Sequence, residues 1–529
     1  MSTPGWLDTL HPQTSREKLT YLRLILGASS GALLSLAFTG YYLAVFSWIS
    51  IAILLLAVLS ARPLAAYGCG FAHGLFFVLT SLSWIGDVLA AHGGLSKAGG
   101  FALLLLFGTA WGILSGGFTW CVNKLARTSL KTACTGAPFL WVAWEFTRTH
   151  LPEIGFPWNL LGYPASYNVA FLQITVVTGI FGLSLAVAGF NALLVWAILA
   201  KEISARRRFT PLTVTAVVFL LIYFIGPRFV PIAGANHLAR SVQLNFPETE
   251  GVVQDWFGKY RADLDEVIRL SLAPSITKPD LLVWPEAPAP FSFQNAVFAQ
   301  RASNIAIQFG HPFLFGTIEW KQPPGTPATV QARFFPYNSA LLLNAQGMRA
   351  FSYDKAHLVP FGEYEPFPLI HQVVSSVSNE VGGFHKGTVH NVGLLGGDHK
   401  FGAFICYEAI FPGEVRQFAE NGANLFINIS NDGWFGTSSA AEQHIRMARV
   451  RAVENRRWMI RSTNSGITAS IDPYGRITDP LPRDVRGIAD LPYDFRTDTT
   501  IYTRFGDWVA WLSLLISAIL LLTTFRKAK

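Results

Sequence analysis

Charged residues are scarce in this chain of 529 residues. They make up 14% of the sequence, whereas hydrophobic residues make up 51%. Soluble domains usually carry about 25% charged residues. The shortage of charge argues against an ordinary soluble domain and indicates a membrane protein. The formal net charge is nevertheless +8, so the placement of the basic residues decides whether they serve nucleic-acid binding or border membrane spans.

Cysteine is also rare, with four residues in the chain. Cys69, Cys121 and Cys134 fall in or beside apolar runs, so Cys406 is the single cysteine of the segment 229–507. A disulfide within that segment is therefore impossible. The Cys406 thiol is either a small buried hydrophobic group, as many free cysteines are, or a nucleophile.

Motifs for cofactors are missing from the sequence. It holds no HExxH, no paired-cysteine spacing, and no Walker or GxGxxG motif placed between a strand and a helix. We therefore expect no metal ion and no organic cofactor.

Long apolar runs, in contrast, are abundant. A membrane-spanning helix needs about 20 apolar residues, and the sequence predicts about eight such helices. They are 23–40, 42–61, 64–86, 100–123, 133–148, 170–199, 210–227 and 508–525. The first run lacks the small-residue cleavage site of a signal peptide and is followed by further spans. The sequence therefore predicts a polytopic α-helical membrane protein.

Basic residues occupy every second connection between these runs. They are Arg16, Lys18, Arg23, Arg62, Lys124, Arg127, Lys131, Lys201, Arg206, Arg207, Arg208, Arg526, Lys527 and Lys529. The positive-inside rule then places both termini in the cytoplasm and residues 229–507 outside. The basic charge is thus a topology signal, and we expect no nucleic-acid partner. Trp158 and Tyr163, in the external loop 149–169, are typical of an interfacial aromatic belt.

The chain is therefore expected to have three parts. Residues 1–228 form a membrane domain of seven helices, 229–507 form an external domain, and 508–529 form a last helix with a cytoplasmic tail. In the external domain, short β-like runs alternate with helical patterns, which predicts an α/β layered fold.

Two further residues of the external domain end β-like runs, as Cys406 does. Glu286 ends LLVWPE, and Lys355 follows FSYD. A carboxylate can act as general base for a thiol, and a lysine can stabilise the oxyanion that forms when an acyl carbonyl is attacked. No papain-like pattern joins Cys406 to a histidine, and the sequence does not place His357, His385 or His444 beside it.

The motifs around these residues resemble a known family. VWPE (283–286), DKAHLVPFGEYEP (354–366) and ICYEAIFP (405–412) resemble the Glu–Lys–Cys triad of the nitrilase superfamily, and ISNDGWFG (429–436) resembles its later part. With spans on both sides of the domain, the chain resembles the apolipoprotein N-acyltransferases, the membrane-embedded branch of that superfamily.

This resemblance implies an extracytoplasmic α-β-β-α sandwich and a ping-pong acyl transfer. Cys406 would attack an acyl ester of a phospholipid, Glu286 would take its proton as general base, and Lys355 would stabilise the oxyanion. The N-terminal amine of a diacylglyceryl-cysteine on an apolipoprotein would then accept the acyl chain from the Cys406 thioester.

The resemblance extends to other residues. Glu363, Tyr407 and Glu408 would support the triad, with Glu408 orienting Lys355 or the amine. Trp256 would lie on an arm over the lipid entrance, and Asn431, Asp432 and Trp434 would shape the substrate pocket. Solvated turns and ordinary anchoring aromatics are the alternative interpretations for Glu363 and Trp256.

The resemblance also implies the setting. The enzyme would be a monomer in the bacterial inner membrane with its catalytic domain in the periplasm, and phosphatidylethanolamine would be the acyl donor. Two other functions stay open. A membrane-anchored nitrilase-type amidase would use the same triad with water as acceptor, and a transporter would leave the triad unexplained.

Overall fold

The computed structural model describes residues 16–92, 95–246, 256–286, 292–322, 334–365 and 383–527. The chain divides into two compact units. The first comprises Met1–Ala90, Ser96–Val230 and Asp507–Lys529, and the second comprises Ala91–Leu95 and Pro231–Gly506.

The first unit is helical. Its helices are α1 (Arg16–Leu36), α2 (Ser47–Val58), α3 (Pro63–Ser81), α4 (Trp84–His92), α5 (Lys97–Ala126), α6 (Leu130–Thr149), α7 (Gly162–Ser166), α8 (Val169–Leu172), α9 (Thr175–Leu199), α10 (Ala205–Phe224) and the C-terminal helix Trp508–Lys527. The last two residues of α4, Ala91 and His92, are assigned to the second unit. In α9, Gly179 has a φ of 62°, which interrupts the helical geometry.

Six of these helices are long and apolar enough to cross a membrane: α1, α3, α5, α9, α10 and the C-terminal helix. Helix α2 belongs to a shorter apolar stretch, Tyr42–Val58. Helix α6 has the length of a span, but it carries Lys131, Glu145 and Arg148. The chain is thus a multi-pass membrane protein, and the count of eight spans stays a prediction.

Small residues let the helices of this unit approach closely. A Cβ on Gly31 of α1 would lie 2.1 Å from the carbonyl oxygen of His73 in α3, and one on Gly74 would lie 2.5 Å from Ser115 Oγ of α5. Lipid tails give no hydrophobic drive between helices, so contact of this kind and buried hydrogen bonds hold such bundles together.

The prediction of an interfacial belt for Trp158 and Tyr163 is wrong, because both side chains are buried inside the first unit. Arg148 is the reason. Its Nη1 donates to the carbonyl oxygens of Phe156 at 2.7 Å and Trp158 at 3.2 Å, while Glu145 Oε1 accepts from the Leu161 amide at 2.6 Å. These bonds fold the loop inward instead of leaving its aromatic rings at the surface.

The described part of the second unit is built on two six-stranded sheets. The strands are β1 (His237–Gln243), β2 (Leu281–Val283), β3 (Phe313–Lys321), β4 (Phe335–Leu343), β5 (Arg349–Asp354), β6 (Gly393–Gly396), β7 (His399–Ile405), β8 (Leu425–Ser430), β9 (Trp458–Thr463), β10 (Thr468–Ile471), β11 (Ile477–Leu481) and β12 (Gly487–Tyr493). The first sheet has the order β12-β1-β2-β3-β4-β5, and the second has the order β11-β10-β9-β8-β7-β6.

Each sheet has a parallel centre and antiparallel margins. Strands β1, β2 and β3 run parallel in the first sheet, as β7, β8 and β9 do in the second. Among the described residues of this unit, the helices are α11 (Trp256–Ser271), α12 (Ala296–Phe309), α13 (Pro412–Glu420), α14 (Ala440–Asn455) and α15 (Ile501–Phe505).

Side chains that alternate between the two faces of the first sheet produce the layers of this unit. On β4, Ala340 and Leu342 enter the core shared with strands of the second sheet, whereas Leu341 and Leu343 enter a core shared with α11 and α12. Successive side chains of a strand point to opposite faces, so one face of the first sheet covers the second sheet and the other covers two helices. On the far side, Phe404 of β7 contacts Phe418 of α13. The predicted α/β layered domain is confirmed.

Two short sequences of the second unit form tight turns. In NAQG (344–347), the Gly347 amide donates to the Asn344 carbonyl at 2.9 Å, and in DPYG (472–475), the Gly475 amide donates to the Asp472 carbonyl at 2.9 Å. Both glycines have positive φ, of 72° and 87°, a conformation that glycine adopts without steric cost.

Candidate functional site

The predicted triad residues all follow the ends of strands in the second unit. Glu286 comes three residues after β2, Lys355 directly follows β5, and Cys406 directly follows β7. The first two belong to one sheet and the third to the other, so the facing of the two sheets brings them together. Strand ends are a frequent location of functional groups in α/β folds, because the loops that follow them meet at one edge.

Lys355 is buried between two carboxylates. Its Nζ lies 3.3 Å from Glu286 Oε1 and 2.9 Å from Glu363 Oε1, and its side chain is 1% exposed. Glu363 is therefore an ion-pair partner of Lys355 in the structure and not a solvated turn residue. A buried cation needs such partners, because burial alone strongly disfavours charge.

Asn338, on β4, joins the same two carboxylates. Its Nδ2 donates to Glu286 Oε1 at 2.7 Å and to Glu363 Oε1 at 2.8 Å. The Lys355 amide in turn donates to the Asn338 carbonyl at 2.8 Å. Sequence reasoning did not identify Asn338. The sequence feature that could have identified it is a polar residue at the start of the apolar run YNSALLL, and this feature is weak evidence for a functional residue.

Backbone donors orient the second oxygen of each carboxylate. The Asn431 amide donates to Glu286 Oε2 at 2.8 Å, and the Val359 amide donates to Glu363 Oε2 at 2.8 Å. Asn431 follows β8 of the second sheet, so Glu286 is tied to both sheets. Its carboxylate is held in one orientation, as a positioned base requires.

Cys406 begins a 3₁₀ turn, Cys406–Ile410, immediately after β7. Its φ is 50°, in the left-handed region that non-glycine residues rarely adopt. A nucleophile on such a strained turn from strand to helix is presented outward from the sheet. The residue is 7% exposed.

Burial raises the pKa of the Cys406 thiol well above its usual value; Glu286 adds to this and Lys355 opposes it. The thiol is therefore protonated at rest and needs a base to become a nucleophile. For Lys355, burial would lower the pKa, but Glu286, Glu363 and Cys406 together raise the pKa above its usual value. The ammonium group is thus charged at neutral pH.

Glu408 binds the backbone on both sides of the site. Its Oε1 accepts from the Tyr353 hydroxyl at 2.7 Å and from the amides of Ala356 at 2.7 Å and His357 at 3.1 Å, and its Oε2 accepts from the Ile405 amide at 2.7 Å. Glu408 therefore fixes the chain next to Lys355 to the chain next to Cys406. Burial raises the pKa of this carboxyl, and Glu414 adds to the effect.

The remaining predicted residues are placed as follows. Tyr407 is buried, and its ring lies 5.1 Å from that of Phe411. Asn431 is buried, and its Oδ1 accepts from Asn464 Nδ2 at 3.2 Å. Trp434 is 42% exposed in the 3₁₀ turn Asp432–Phe435. Trp256 begins α11, but its side chain lies outside the described residues.

Asp432, His444 and Arg461 form a buried polar cluster behind Cys406. Arg461 Nη2 donates to Asp432 Oδ2 at 2.7 Å and Oδ1 at 3.0 Å. His444 Nε2 lies 3.0 Å from the Cys406 carbonyl oxygen. The histidine thus contacts the backbone of the cysteine, and sequence reasoning had left its position open.

The site supports covalent acyl chemistry. It offers a thiol, a buried carboxylate held in one orientation, and a charged ammonium group, which are groups able to serve as nucleophile, base and oxyanion stabiliser. Within the residues that the structure describes, no group of three or more His, Cys, Asp or Glu side chains could hold a metal ion.

Comparison with known proteins gives matches to both units. Residues 238–497 match the family described as carbon-nitrogen hydrolase, and residues 30–193 match the apolipoprotein N-acyltransferase N-terminal domain. The first match covers the two-sheet unit, and the predicted nitrilase-like α/β domain is confirmed.

Curated relatives match over most of the chain. An apolipoprotein N-acyltransferase of Geobacter metallireducens is 32% identical over 96% of this chain and 95% of its own. One of Rhodopseudomonas palustris is 31% identical over 88% of this chain and 86% of its own. Among solved structures, an amidase from Nesterenkonia sp. is 19% identical with a TM-score of 0.35, covering 50% of this chain and 93% of the amidase. The two relatives thus extend across both units.

Proposed function

Because this chain belongs to the apolipoprotein N-acyltransferase family, we propose that it transfers a fatty acyl chain from a phospholipid to the N-terminal amine of the diacylglyceryl-cysteine of an apolipoprotein. The observation that carries the proposed chemistry is the buried pair of Lys355 Nζ and Glu286 Oε1, 3.3 Å apart, at the strand ends where Cys406 also lies; both groups also influence the pKa of the Cys406 thiol. These three residues are the proposed catalytic residues.

The first half-reaction makes an acyl-enzyme. Glu286 takes the proton of the Cys406 thiol while Sγ attacks the ester carbonyl of the phospholipid. The resulting oxyanion receives hydrogen bonds from Lys355 Nζ. When the tetrahedral intermediate collapses, the ester C–O bond breaks, Glu286 returns the proton to the departing alkoxide, and a lysophospholipid leaves a thioester on Cys406.

The second half-reaction transfers the acyl chain to the acceptor. The free amine attacks the thioester carbonyl and loses a proton to Glu286. Collapse of this second intermediate breaks the C–S bond, forms the amide, and restores the protonated thiol with the proton held by Glu286. Dividing the transfer in this way replaces one difficult step with two easier ones. No step requires a metal ion or an organic cofactor.

Intact mass spectrometry of the purified protein in detergent tests this function. After mixing with phosphatidylethanolamine, the wild type should gain the mass of one acyl chain, and Cys406→Ala should not. A diacylglyceryl-cysteine peptide should then discharge the adduct and itself gain the acyl chain. A folded wild type that gains no acyl mass from any phospholipid would refute the function.

The same experiment addresses the hydrolase alternative. A nitrilase-type amidase would use water as acceptor, so the thioester would disappear at the same rate with or without the peptide. Family membership and the six apolar helices favour transfer between two lipid substrates, neither of which leaves a bilayer readily. Discharge by water at the full rate would favour hydrolysis.

The proposal includes a location. The protein would lie in the bacterial inner membrane with about eight transmembrane helices, both termini in the cytoplasm, and the two-sheet domain in the periplasm. The basic connections support this orientation through the positive-inside rule. The proposed domain limits are 1–228, 229–507 and 508–529, and the proposed state is a monomer.

A labelling experiment tests the orientation. A maleimide that cannot cross the inner membrane should label Val389→Cys, at an exposed position of the two-sheet unit, in intact cells. It should label Arg127→Cys, in a basic connection, only after the membrane is permeabilised. The reverse pattern would invert the proposed topology.

A further inference from the structure

Helix α14 contacts the turn that carries Cys406 through two side chains. His444 Nε2 lies 3.0 Å from the Cys406 carbonyl oxygen, and Arg451 Nη1 donates to the Ile410 carbonyl oxygen at 3.4 Å. Cys406 and Ile410 are the first and last residues of the turn. One helix therefore binds both of its ends.

The contact with the Cys406 carbonyl determines that Nε2 of His444 carries a hydrogen. A carbonyl oxygen can only accept, so Nε2 must donate to Cys406. Nδ1 lies 3.2 Å from Arg461 Nη2, which can only donate. Asp432 Oδ1, which can only accept, also lies 3.1 Å from Nδ1, so Nδ1 faces both a donor and an acceptor, whereas Nε2 carries a hydrogen whichever of the two Nδ1 binds. Burial lowers the pKa of His444, Arg461 adds to this, and Asp432 opposes it, which agrees with a neutral ring.

Asp432 and Arg461 hold the ring in place from behind. Asp432 Oδ1 lies 3.1 Å from His444 Nδ1 and accepts from Ser430 Oγ at 2.7 Å. Arg461 binds the same carboxylate and, through Nη1, the side-chain oxygen of Asn428. The side chains of Asp432, His444 and Arg461 are fully buried. The imidazole therefore has a fixed orientation toward the backbone of Cys406.

The bond matters because the backbone of Cys406 is strained. At a φ of 50°, a residue with a Cβ is crowded against its own carbonyl group, and such conformations persist only where the surroundings enforce them. The carbonyl that His444 binds belongs to Cys406 itself. Rotation of this residue toward negative φ would reorient Sγ relative to Glu286 and Lys355.

We propose that His444 is a positioning residue for the acyl transfer: by donating from Nε2 to the Cys406 carbonyl, it holds the nucleophile in the left-handed conformation that directs Sγ at the acyl carbonyl. The inference rests on the proposed function for its acyl-transfer part. It assigns a role to a histidine that neither exchanges a proton with the thiol nor touches substrate.

A matched pair of substitutions isolates this hydrogen bond. His444→Gln and His444→Met introduce unbranched side chains of similar length, and the amide of Gln can donate where the histidine Nε2–H did, whereas the Met thioether cannot. Both variants lose the packing of the ring. A purely structural role would therefore affect the two equally, per folded molecule.

The rate of thioester formation at saturating phosphatidylethanolamine is the first readout. Loss of one well-placed hydrogen bond corresponds to roughly a tenfold effect, so His444→Met should acylate about tenfold more slowly than His444→Gln. The phospholipid concentration for half-maximal rate should be the same in both, because His444 does not touch lipid. Equal acylation rates in folded Gln and Met variants would overturn the proposal.

Alkylation of Cys406 by iodoacetamide, located by peptide mass, is the second readout and requires no lipid. The Gln variant should again react faster than the Met variant, and equal rates would count against the proposal. If this difference appears but the wild type forms no acyl-enzyme, the proposed function fails while the positioning role stands. If His444→Met does not fold in detergent, as judged by thermal unfolding, His444→Leu takes its place in both comparisons.

Discussion

The side-chain amide of Asn338 donates to Glu286 Oε1 at 2.7 Å, and the same nitrogen donates to Glu363 at 2.8 Å. Two carboxylates therefore share a neutral donor as well as the ammonium group of Lys355. Because both acceptors lie on the Nδ2 side, the orientation of the amide is fixed by its partners. Asn338 reduces the repulsion between the carboxylates without adding charge.

Replacing this donor with an acceptor should disable the site. Asn338→Asp preserves the shape of the side chain but places a third carboxylate against Glu286 and Glu363, with a single lysine to neutralise all three. One carboxylate must then bind a proton, and Glu286 can no longer serve freely as a base. We expect thioester formation to slow by about 100-fold or more, in the range of lost general-base catalysis.

The control for this change lies at the end of the same strand. Asn344 caps the turn after β4, where its Oδ1 accepts from the Gln346 and Met348 amides at 3.0 Å, and an aspartate offers the same oxygen. Asn344→Asp should acylate at the rate of the wild type. Normal acylation by Asn338→Asp would show that Glu286 does not depend on this donor.

Glu408→Gln should weaken both the fold and the reaction. The carboxylate accepts from four donors, and a glutamine turns an amino group toward some of them, which leaves buried donors unsatisfied. We expect a loss of about 3 kcal/mol in the free energy of unfolding, together with slower thioester formation in the molecules that remain folded. Denaturant unfolding in detergent measures the first effect. Glu442→Gln, which alters a partly exposed pair with Arg483, should change stability by less than about 1 kcal/mol.

Asp432→Asn should be strongly destabilising. It removes the charge that neutralises Arg461, whose side chain is fully buried, and leaving a buried charge without its partner typically costs about 3–5 kcal/mol. Asp498→Asn provides the comparison, because Asp498 pairs with Arg496 at 2.8 Å but is 46% exposed. Similar unfolding midpoints for the two variants would contradict a stabilising role of the buried pair.

Glu414 should make the free energy of unfolding depend on pH in the acidic range. Burial would raise its pKa, but hydrogen bonding from His357, at 2.6 Å, and from His390 lowers the pKa of this carboxyl from 4.5 to about 2. Since the folded pKa is depressed, the ionised form stabilises the fold above about pH 4.5, and this contribution is lost as the pH falls toward 2.

The comparison of wild type with Glu414→Gln tests this dependence. The difference in unfolding free energy should be about 3 kcal/mol and constant between roughly pH 5 and 7. It should shrink as the pH falls from about 4.5 toward 2. Glu420→Gln, near the end of the same helix and paired with Arg416, should show a much smaller difference. A difference between wild type and Glu414→Gln that grew with acid would be opposite in sign to the prediction.

Much of the layout was accessible from the sequence, because it depends on local patterns. Apolar runs predicted the strands, and Glu286, Lys355 and Cys406 each followed such a run. Residues at strand ends are expected to gather at one edge, and the structure brings them together. The family inferred from the motifs is confirmed by the relatives. The roles of the three residues stay predictions.

What the sequence did not reveal depends on contacts between distant segments. Asn338 lies 52 residues from Glu286, and nothing in its surroundings marks it as a partner of two carboxylates. The same holds for His444, whose contact with Cys406 requires α14 to pack under a particular turn. Trp158 was wrongly placed at the membrane surface, because the pattern of aromatic residues in a loop does not show that Arg148 binds the backbone around it.

The proposed catalytic residues are divided between the two sheets, with Glu286 and Lys355 on one and Cys406 on the other. The relative position of base and nucleophile therefore depends on how the two sheets pack, through the apolar layer between them and the hydrogen bond from the Asn431 amide to Glu286. Small sliding or compression of that layer would change the distance between the Glu286 carboxylate and the Cys406 thiol, and so would change the rate of the reaction. Hydrostatic pressure, or a cavity introduced at Leu342 in this layer, should alter the reaction rate without any contact with substrate.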